Sequence, residues 1–565
     1  MDLQPIFNIA EICYQHGLTQ VVLSPGSRCA PLTLAFSRHP QINVRTVSDE
    51  RAAAFIGLGI AQVSKNPTIL VCTSGTAAYN YAPAVAEAFY QQVPLLVITA
   101  DRPPEWIDQL DGQTIRQENI YNRHIKRSFN YPADVSHPDS RWYAERIFSE
   151  AINEARAYPP GPVHINIPLR EPFYPEVGAT LDFQQPVKII KEDAPAYMLA
   201  PETIKQLQEE LSGFKRILIV AGQGSYQPEL QLALNSFVDQ TGAVLVADII
   251  SNLHLLPASV RAHDVFLNGK QTLNGDDLRP DLVITFGLSN ISKNLKMYLR
   301  AFGPQAHWHL QPAGPVADPF QSLTRIIRIK PQHFFTALAE TSKESNTDYS
   351  KIWQQKEAQA TTYLHSSLAV DNYNEFVVFK KISDQLPENS LLHLANSMAV
   401  RYANILGLNP AQQVEVFANR GTSGIDGCTS TTVGAALSTN KITTLITGDL
   451  AFFYDRNGLW HNYLPPNLRL VLLNNHAGGI FRIIDGPKHQ PELEEFFETR
   501  QLLNADNTAR DFAMHYYPCH SLADLEKTLP LFWQNGPGIL EVFTQSPANA
   551  AFFDRFKKDS PFKKS

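Results

Sequence analysis

The chain has 565 residues, enough for roughly three or four domains of about 150 residues each. Hydrophobic residues make up 44% and charged residues 18%, which supplies apolar material for several buried cores. The net charge of −7 excludes the basic footprint that nucleic acid or an anionic membrane surface requires, while leaving room for local cationic sites.

The N-terminal MDLQPIFNIAEICYQHG reads as an amphipathic first helix. It lacks the basic start of a signal peptide, and no apolar run reaches the roughly 20 residues needed to span a bilayer. Three blocks follow, each alternating short apolar runs with helical stretches, as parallel α/β sheets do. The first has strands at Gln20–Leu23, Thr68–Cys72, Leu95–Thr99 and Val163–Ile167. A connector near Glu171 to Pro201 leads to strands at Arg216–Ala221, Ala243–Ala247, Asp281–Phe286 and Arg325–Ile329. A polar helical linker around Ser342 to Gln359 precedes strands at Leu391–Leu394, Val414–Phe417, Thr443–Ile446, Leu468–Leu473 and Ile539–Phe543. The tail KKDSPFKKS is expected to be a frayed, solvated end. The expected architecture is α/β, with three doubly wound parallel-sheet domains at 1–180, 190–340 and 360–565. The five cysteines are scattered without a CxxC, which suits free thiols in a reducing compartment, and the cytoplasm is the default location.

Polar or Gly-rich stretches follow nearly every strand of blocks one and three: SPGSR, TSGT and ADRPPE, then ANS, ANRG, GDL and NNHAGG. Ligands of open α/β sheets bind beyond the carboxyl ends of strands, so two such edges suggest one large ligand held between them. In block three, Asp449 follows one apolar strand and Asn475 lies 26 positions on, after the next. With a backbone carbonyl near Ala477 they offer three oxygens, and Mg²⁺ binds through a few such ligands plus phosphate and water. Gly478 and Gly479 let backbone approach a phosphate, and a helix starting after GDL would aim N–H groups at it. The bland alternative makes Asp449 a helix cap and NN a turn. In block one, Glu50 opens a helix in VSDERAAAF. It is either a helix-dipole partner or a carboxylate that hydrogen-bonds N1′ of an aminopyrimidine.

Taken together, SPGSRCAPLTLA, SDERAAAF, TSGTAAYNYAPAVAEA, TADRPPE, GQTIRQ, NRGTSGIDG, GDLAFFYDRNGL and NNHAGGIF resemble the MenD family, thiamine-diphosphate enzymes of menaquinone biosynthesis. The resemblance runs over about residues 20 to 485, in the family's order. It implies thiamine diphosphate with Mg²⁺ or Mn²⁺ as cofactors, and a reaction that decarboxylates 2-oxoglutarate and adds its succinyl unit to isochorismate. Glu50 then activates the cofactor and Gln113 lies near the reacting carbonyl. Asp449, Asn475 and the Ala477 carbonyl hold the metal. Ser27, Thr76, Ser397, Ile425, Ile480 and Phe481 contact the cofactor, with Ile425 as the wedge that bends it. Arg28, Arg102, Lys293, Arg401 and Arg420 meet the substrates. Both substrates are dicarboxylates, and Arg forks bind carboxylates at roughly 1.5–3 kcal/mol per charged hydrogen bond. The resemblance also implies a homodimer or tetramer, with each site between one subunit's first domain and its partner's third. A different thiamine-diphosphate carboligase, such as an acetohydroxyacid synthase relative, would share Glu50, Asp449 and Asn475 without needing the arginines. A non-catalytic binding protein on the same fold would need none of them. In block two, Gly222-Gln-Gly224 has Gln227 where a dinucleotide fingerprint has its third glycine, which points to a structural middle domain.

Overall fold

A computed structural model describes residues 3–176, 178, 182–267, 276–339, 347–369 and 373–563. The apolar runs become three six-stranded sheets, every strand pair parallel. The first sheet contains β1 (Gln20–Leu23), β2 (Asn43–Thr46), β3 (Thr68–Cys72), β4 (Leu95–Asp101), β5 (Ser128–Asn130) and β6 (Pro162–Pro168), in the order β2-β1-β3-β4-β6-β5. The second contains β7 (Ile217–Ala221), β8 (Val244–Ala247), β9 (Ser259–Val260), β10 (Leu282–Phe286), β11 (Ala306–Leu310) and β12 (Arg325–Ile327), in the order β12-β11-β10-β7-β8-β9. The third contains β13 (Leu391–Leu394), β14 (Glu415–Phe417), β15 (Thr443–Gly448), β16 (Leu468–Asn474), β17 (His515–Cys519) and β18 (Gly538–Phe543), in the order β14-β13-β15-β16-β18-β17.

Each sheet has a central switch in strand order: between β1 and β3, between β7 and β10, and between β13 and β15. Crevices open at these switches, beyond the carboxyl ends of the strands. SPGSR and TSGT therefore flank the first crevice, and ANS and GDL flank the third. At the second, the flanking loops close on each other. Gln223 N–H donates to Ser289 O at 2.9 Å and Leu288 N–H to Gln223 O at 2.9 Å, while a Cβ on Gly222 would lie 2.2 Å from Leu288 O.

The third domain is the hub. One continuous core joins the inner face of the second sheet (Leu218, Val220, Val283) to the third (Leu392, Val471, Leu540). Another joins the first-domain helix Glu50–Ser64 to the third domain's Val433, Leu470 and Ile539. That helix crosses Cys428–Ala436 almost backbone to backbone. A Cβ on Gly59 would lie 1.9 Å from Thr431 O, and one on Gly434 would lie 2.0 Å from Ile56 O.

Two expectations need correction. The linker, which starts outside the described residues, continues as the helix Thr347–Leu368, and it is a packed element, not a polar spacer. Trp353 is 0% exposed and meets Phe266 with ring centroids 5.6 Å apart. The tail, whose last two residues lie outside the described set, is not frayed: Ser560 is buried and Phe562 packs on Phe266. Apolar side chains in both segments find a face of the middle domain to cover. Among the described residues no helix is long and apolar enough to cross a membrane.

Replacing Gly59 with alanine is expected to destabilise the protein by about 1–3 kcal/mol through overpacking. This should hold even though alanine alone favours a helix by about 1 kcal/mol. An unchanged urea midpoint would show that the helices do not need this contact.

Candidate active site

The first-sheet crevice is built by two loops pressed together. Gly26 leaves no room for a side chain, since its Cβ would lie 2.3 Å from Thr73 Cβ. Gly75 has φ +91°, a region that L side chains rarely adopt, and it starts the short helix that opens with Thr76. Gln113, itself at φ +54°, lays its backbone over Gly75, and its side chain is exposed. Thr73 Oγ1 and Ser74 Oγ are buried there without a hydrogen-bond partner, so the crevice wall offers two hydroxyls to a ligand.

Glu50 opens the helix Glu50–Ser64, capped by Asp49, whose carboxylate accepts from Ala52 N–H. It is half-buried and accepts a long bond from Asn80 Nδ2 at 3.5 Å. Ser27 lies in the loop after β1. Its neighbour Arg28 is buried, donating to Leu169 O at 2.9 Å with its guanidinium 4.5 Å from the Phe173 ring centroid. Arg102 pairs with Asp111 at 3.0 Å and donates to Gly112 O, while its Nε is buried without a partner. Both arginines thus combine structural contacts with positions at strand ends.

At the third-sheet crevice, Asp449 is the first residue of the helix Asp449–Tyr454. The helix begins at Asp449, not after GDL as expected, because Gly448 is the residue that turns out of β15. Asp449 is 2% exposed, and its Oδ1 and Oδ2 accept from Leu450 N–H and Gln501 Nε2. Burial pushes its carboxyl up to about 6, against those hydrogen bonds. Asn475 Oδ1 accepts from Ala477 N–H at 3.0 Å, and its Nδ2 donates to Glu375 Oε1 at 2.5 Å. Gly479 N–H binds Ala477 O at 2.9 Å, and a Cβ on Gly479 would lie 3.0 Å from Asn475 Nδ2, so the glycine keeps that loop tight. Ile480 and Phe481 open the helix Ile480–Ile483, with Phe481 packed on Phe497.

Ser397 holds φ +72° and ψ −125°, and its carbonyl accepts from Arg401. Strain of this kind concentrates at functional sites. Asn396 ties the crevice loops together: Nδ2 reaches Asn419 O and Gly424 O, and Oδ1 accepts from Arg420 at 2.9 Å. Burial lowers the pKa of Arg401 and of Arg420, and Arg401's charge lowers that of Arg420 further. Two neighbouring desolvated cations make a site that an anion would relieve. Exposed Lys293 shares a cavity of about 190 Å³ with Arg401, and Ile425 is 41% exposed. Among the described residues, no cluster of three His, Cys, Asp or Glu could hold a metal. An ion at Asp449 would need the amide and carbonyl oxygens of Asn475 and Ala477, and phosphate oxygens to complete its shell.

Comparison with known proteins decides the family. Residues 7–120 match the protein-family model of the thiamine pyrophosphate enzyme N-terminal TPP-binding domain, and residues 184–394 match that of the thiamine pyrophosphate enzyme middle domain. Three curated relatives share the name 2-succinyl-5-enolpyruvyl-6-hydroxy-3-cyclohexene-1-carboxylate synthase. The one from Cytophaga hutchinsonii is 47% identical, covering 98% of this chain and 99% of its own. That of Flavobacterium johnsoniae is 37% identical, with 98% of each covered, and that of Desulfotalea psychrophila is 36% identical, over 96% of this chain and 98% of its own. The chain belongs to this synthase family. It is an α/β enzyme that depends on thiamine diphosphate.

In a synthase of this kind the crevice loops fit the cofactor's two halves. Unpartnered hydroxyls and a carboxylate line one crevice, and an oxygen donor set with glycine backbone lines the other. Two supporting residues were assigned no role from the sequence, although Gln117 ends the GQTIRQ motif. Gln117, 1% exposed, accepts from Gly75 N–H at 2.7 Å and donates to Ala100 O and Asn166, so it holds the TSGT loop. Glu375, pushed up to about 7 by burial, braces Asn475 from a separate helix. Their roles were not readable locally, because each acts across long sequence distances.

Gln117→Ala should leave Gly75 N–H buried and unpaired, lowering stability by about 1–3 kcal/mol. Hydrogen exchange at Gly75 should speed up in the folded protein; exchange as slow as in the parent would show that another acceptor holds the loop.

Proposed function

We propose that this chain decarboxylates 2-oxoglutarate and adds the succinyl unit to isochorismate, with thiamine diphosphate spanning two crevices. The placement of the family-motif residues carries this reading. Ser27 and Thr76 follow the two strands at the switch of the first sheet, with Glu50 after the neighbouring β2 and Gln113 laid over Gly75; Ser397 and Asp449 follow those of the third, with Asn475 and Ala477 after the adjacent β16. Bound thiamine diphosphate supplies the electron sink for the pair left when CO₂ departs.

Glu50 holds a proton at the aminopyrimidine ring nitrogen, seated at a helix start beside Asn80. Asp449, Asn475 and the Ala477 carbonyl take Mg²⁺ or Mn²⁺, and the Gly478–Gly479 backbone leaves space for phosphate. Ile425, Ile480 and Phe481 are the apolar wall against the cofactor rings. Arg401 and Arg420 draw in substrate carboxylates, with Arg28, Arg102 and Lys293 available for the others. Gln113 offers an amide near the reacting carbonyl.

Within one chain, no hydrogen bond or ion pair joins Glu50 or Gln113 to Asp449 or Asn475 among the described residues. Instead, Asp49 accepts from Asn457 and Arg51 donates to Tyr454 O, beyond the metal-binding candidates. This favours a homodimer in which each Glu50 serves its partner's Asp449, and it gives the exposed Tyr79, Tyr454 and Trp460 an apolar face to cover. The cytoplasm suits five free, buried cysteines.

With thiamine diphosphate and Mg²⁺, the purified protein should consume 2-oxoglutarate productively only when isochorismate is present. Steady CO₂ release without isochorismate, or a preference for pyruvate, would replace this reading with another carboligase. Glu50→Gln should cut turnover by about 10²–10⁴, with metal-dependent cofactor binding retained in calorimetry; near-normal turnover removes Glu50 from the chemistry.

A cation on Asp449 requires its carboxylate. With that carboxyl at about 6, the free protein is partly protonated at pH 6 and largely ionised at pH 8. Cofactor and Mg²⁺ should therefore bind more tightly as pH rises from about 5.5 to 7.5. At pH 6 binding should release more protons than cofactor and Mg²⁺ release when mixed without protein, and the excess should fade by pH 8. Equal proton counts at both pH values would remove Asp449 from the ligand set.

A further inference from the structure

Glu87 belongs to none of the roles above, yet its carboxylate is among the most fully used in the molecule. It projects from the first-domain helix Ala82–Gln91 and is 1% exposed. Oε1 accepts from Gly421 N–H at 2.7 Å, and Oε2 accepts from both Thr422 N–H at 2.7 Å and Thr422 O–H at 2.5 Å. Gln91 Nε2 donates to Oε1 as well. A Cβ on Gly421 would lie 2.7 Å from Glu87 O, so backbone meets backbone at this point.

The segment Glu87 grips is held all along its length. Asn252 pairs with both N–H and C=O of Val416, at 2.7 and 2.9 Å. Gln91 and Gln223 both donate to Ala418 O, at 3.2 and 3.0 Å, and Ser289 donates to Arg420 O at 3.3 Å. Residues 416–422 are thus fixed by the first and middle domains, although they belong to the third. This segment carries Arg420 and leads into Ile425.

We propose that Glu87 is a positioning residue for succinyl transfer: by fixing the Gly421–Thr422 backbone it aims Arg420 at a substrate carboxylate. The inference rests on the assignment of Arg420 to substrate made above. A carboxylate suits the task because two adjacent N–H groups each need an acceptor oxygen. A glutamine of the same size has one acceptor oxygen, and its NH₂ group would face an N–H donor. The carboxylate's charge also favours the charged form of Arg420.

The test uses the full chain with its cofactor and Mg²⁺. Glu87→Gln should raise KM at least tenfold for the substrate that Arg420 holds, with kcat changed less and cofactor affinity within about twofold. Glu87→Asp should recover part of the loss. Thr422→Val, which deletes one bond and keeps the carboxylate, should raise the same KM by about two- to threefold. If Glu87 acts through Arg420, the pair Glu87→Gln with Arg420→Ala should be no worse than Arg420→Ala alone. Losses that multiply in the pair, or an unaltered KM in Glu87→Gln, overturn the proposal. Should Glu87→Gln fail to fold, the same comparison with Thr422→Val decides it by the same criteria. If Arg420→Ala leaves both KM values unchanged, the substrate assignment falls and takes the proposal with it, an outcome distinct from normal kinetics in Glu87→Gln alone.

Discussion

The architecture turns on one helix crossing. The helix Glu50–Ser64 from the first domain meets Cys428–Ala436 from the third through Gly59 and Gly434, each set against the other helix's carbonyl oxygens. Contact this close fixes both the angle and the register, because any side chain larger than hydrogen would separate the axes. Glu50 opens the first helix, and the Arg420 loop runs through Ile425 into the second. The crossing therefore sets where Glu50 and the Arg420 loop stand. The shared core behind it excludes water from the junction, which keeps those positions rigid.

Electrostatics at the third-sheet edge work against stability and toward binding. Asp449 and Glu375 are buried carboxyls pushed up to about 6 and about 7, and Arg401 and Arg420 are guanidiniums pulled down by burial. Each carries a desolvation cost that its hydrogen bonds only partly offset. A cation beside Asp449 and an anion beside the arginines would relieve that cost. Gln501 illustrates the point, since its amide donates to Asp449 at 2.9 Å and supplies only a partial positive charge to that carboxylate.

The sequence made much of this legible, for definable reasons. Strands buried on both faces, such as β7 (ILIVA) and β8 (VLVA), are unbroken apolar runs, and β3, β4, β10 and β16 are nearly so, so pattern alone finds them. Polar and short strands escaped. β2 reads NVRT, β5 reads SFN and β17 reads HYYPC, all at sheet edges where burial is incomplete. β11 is interior yet carries His307 and His309, both buried because Thr285 Oγ1 meets each ring within 2.9 Å. The chemistry-bearing loops were readable because packing alone seldom requires glycines and polar residues directly after an apolar run. Glu375 lies outside every motif, and Glu87, Gln117 and Asn396 lie inside motifs without a readable role, since a buried polar residue declares its role only through partners that folding brings from elsewhere.

The middle sheet shows how one scaffold divides the work. Its own crevice is closed by Gly222–Gln223 meeting Leu288–Ser289, so the position where an open α/β sheet would take a ligand is filled by backbone. The same loops then reach outward: Gln223 and Ser289, with Asn252 from beside β8, hold the backbone of residues 416–420. A domain with no ligand-facing crevice of its own thereby becomes a brace for the arginine loop of its neighbour. The continuous core between the second and third sheets makes the brace stiff. Sheets one and three can therefore present strained, desolvated and charged edges, because the stability that such edges cost is supplied by packing elsewhere.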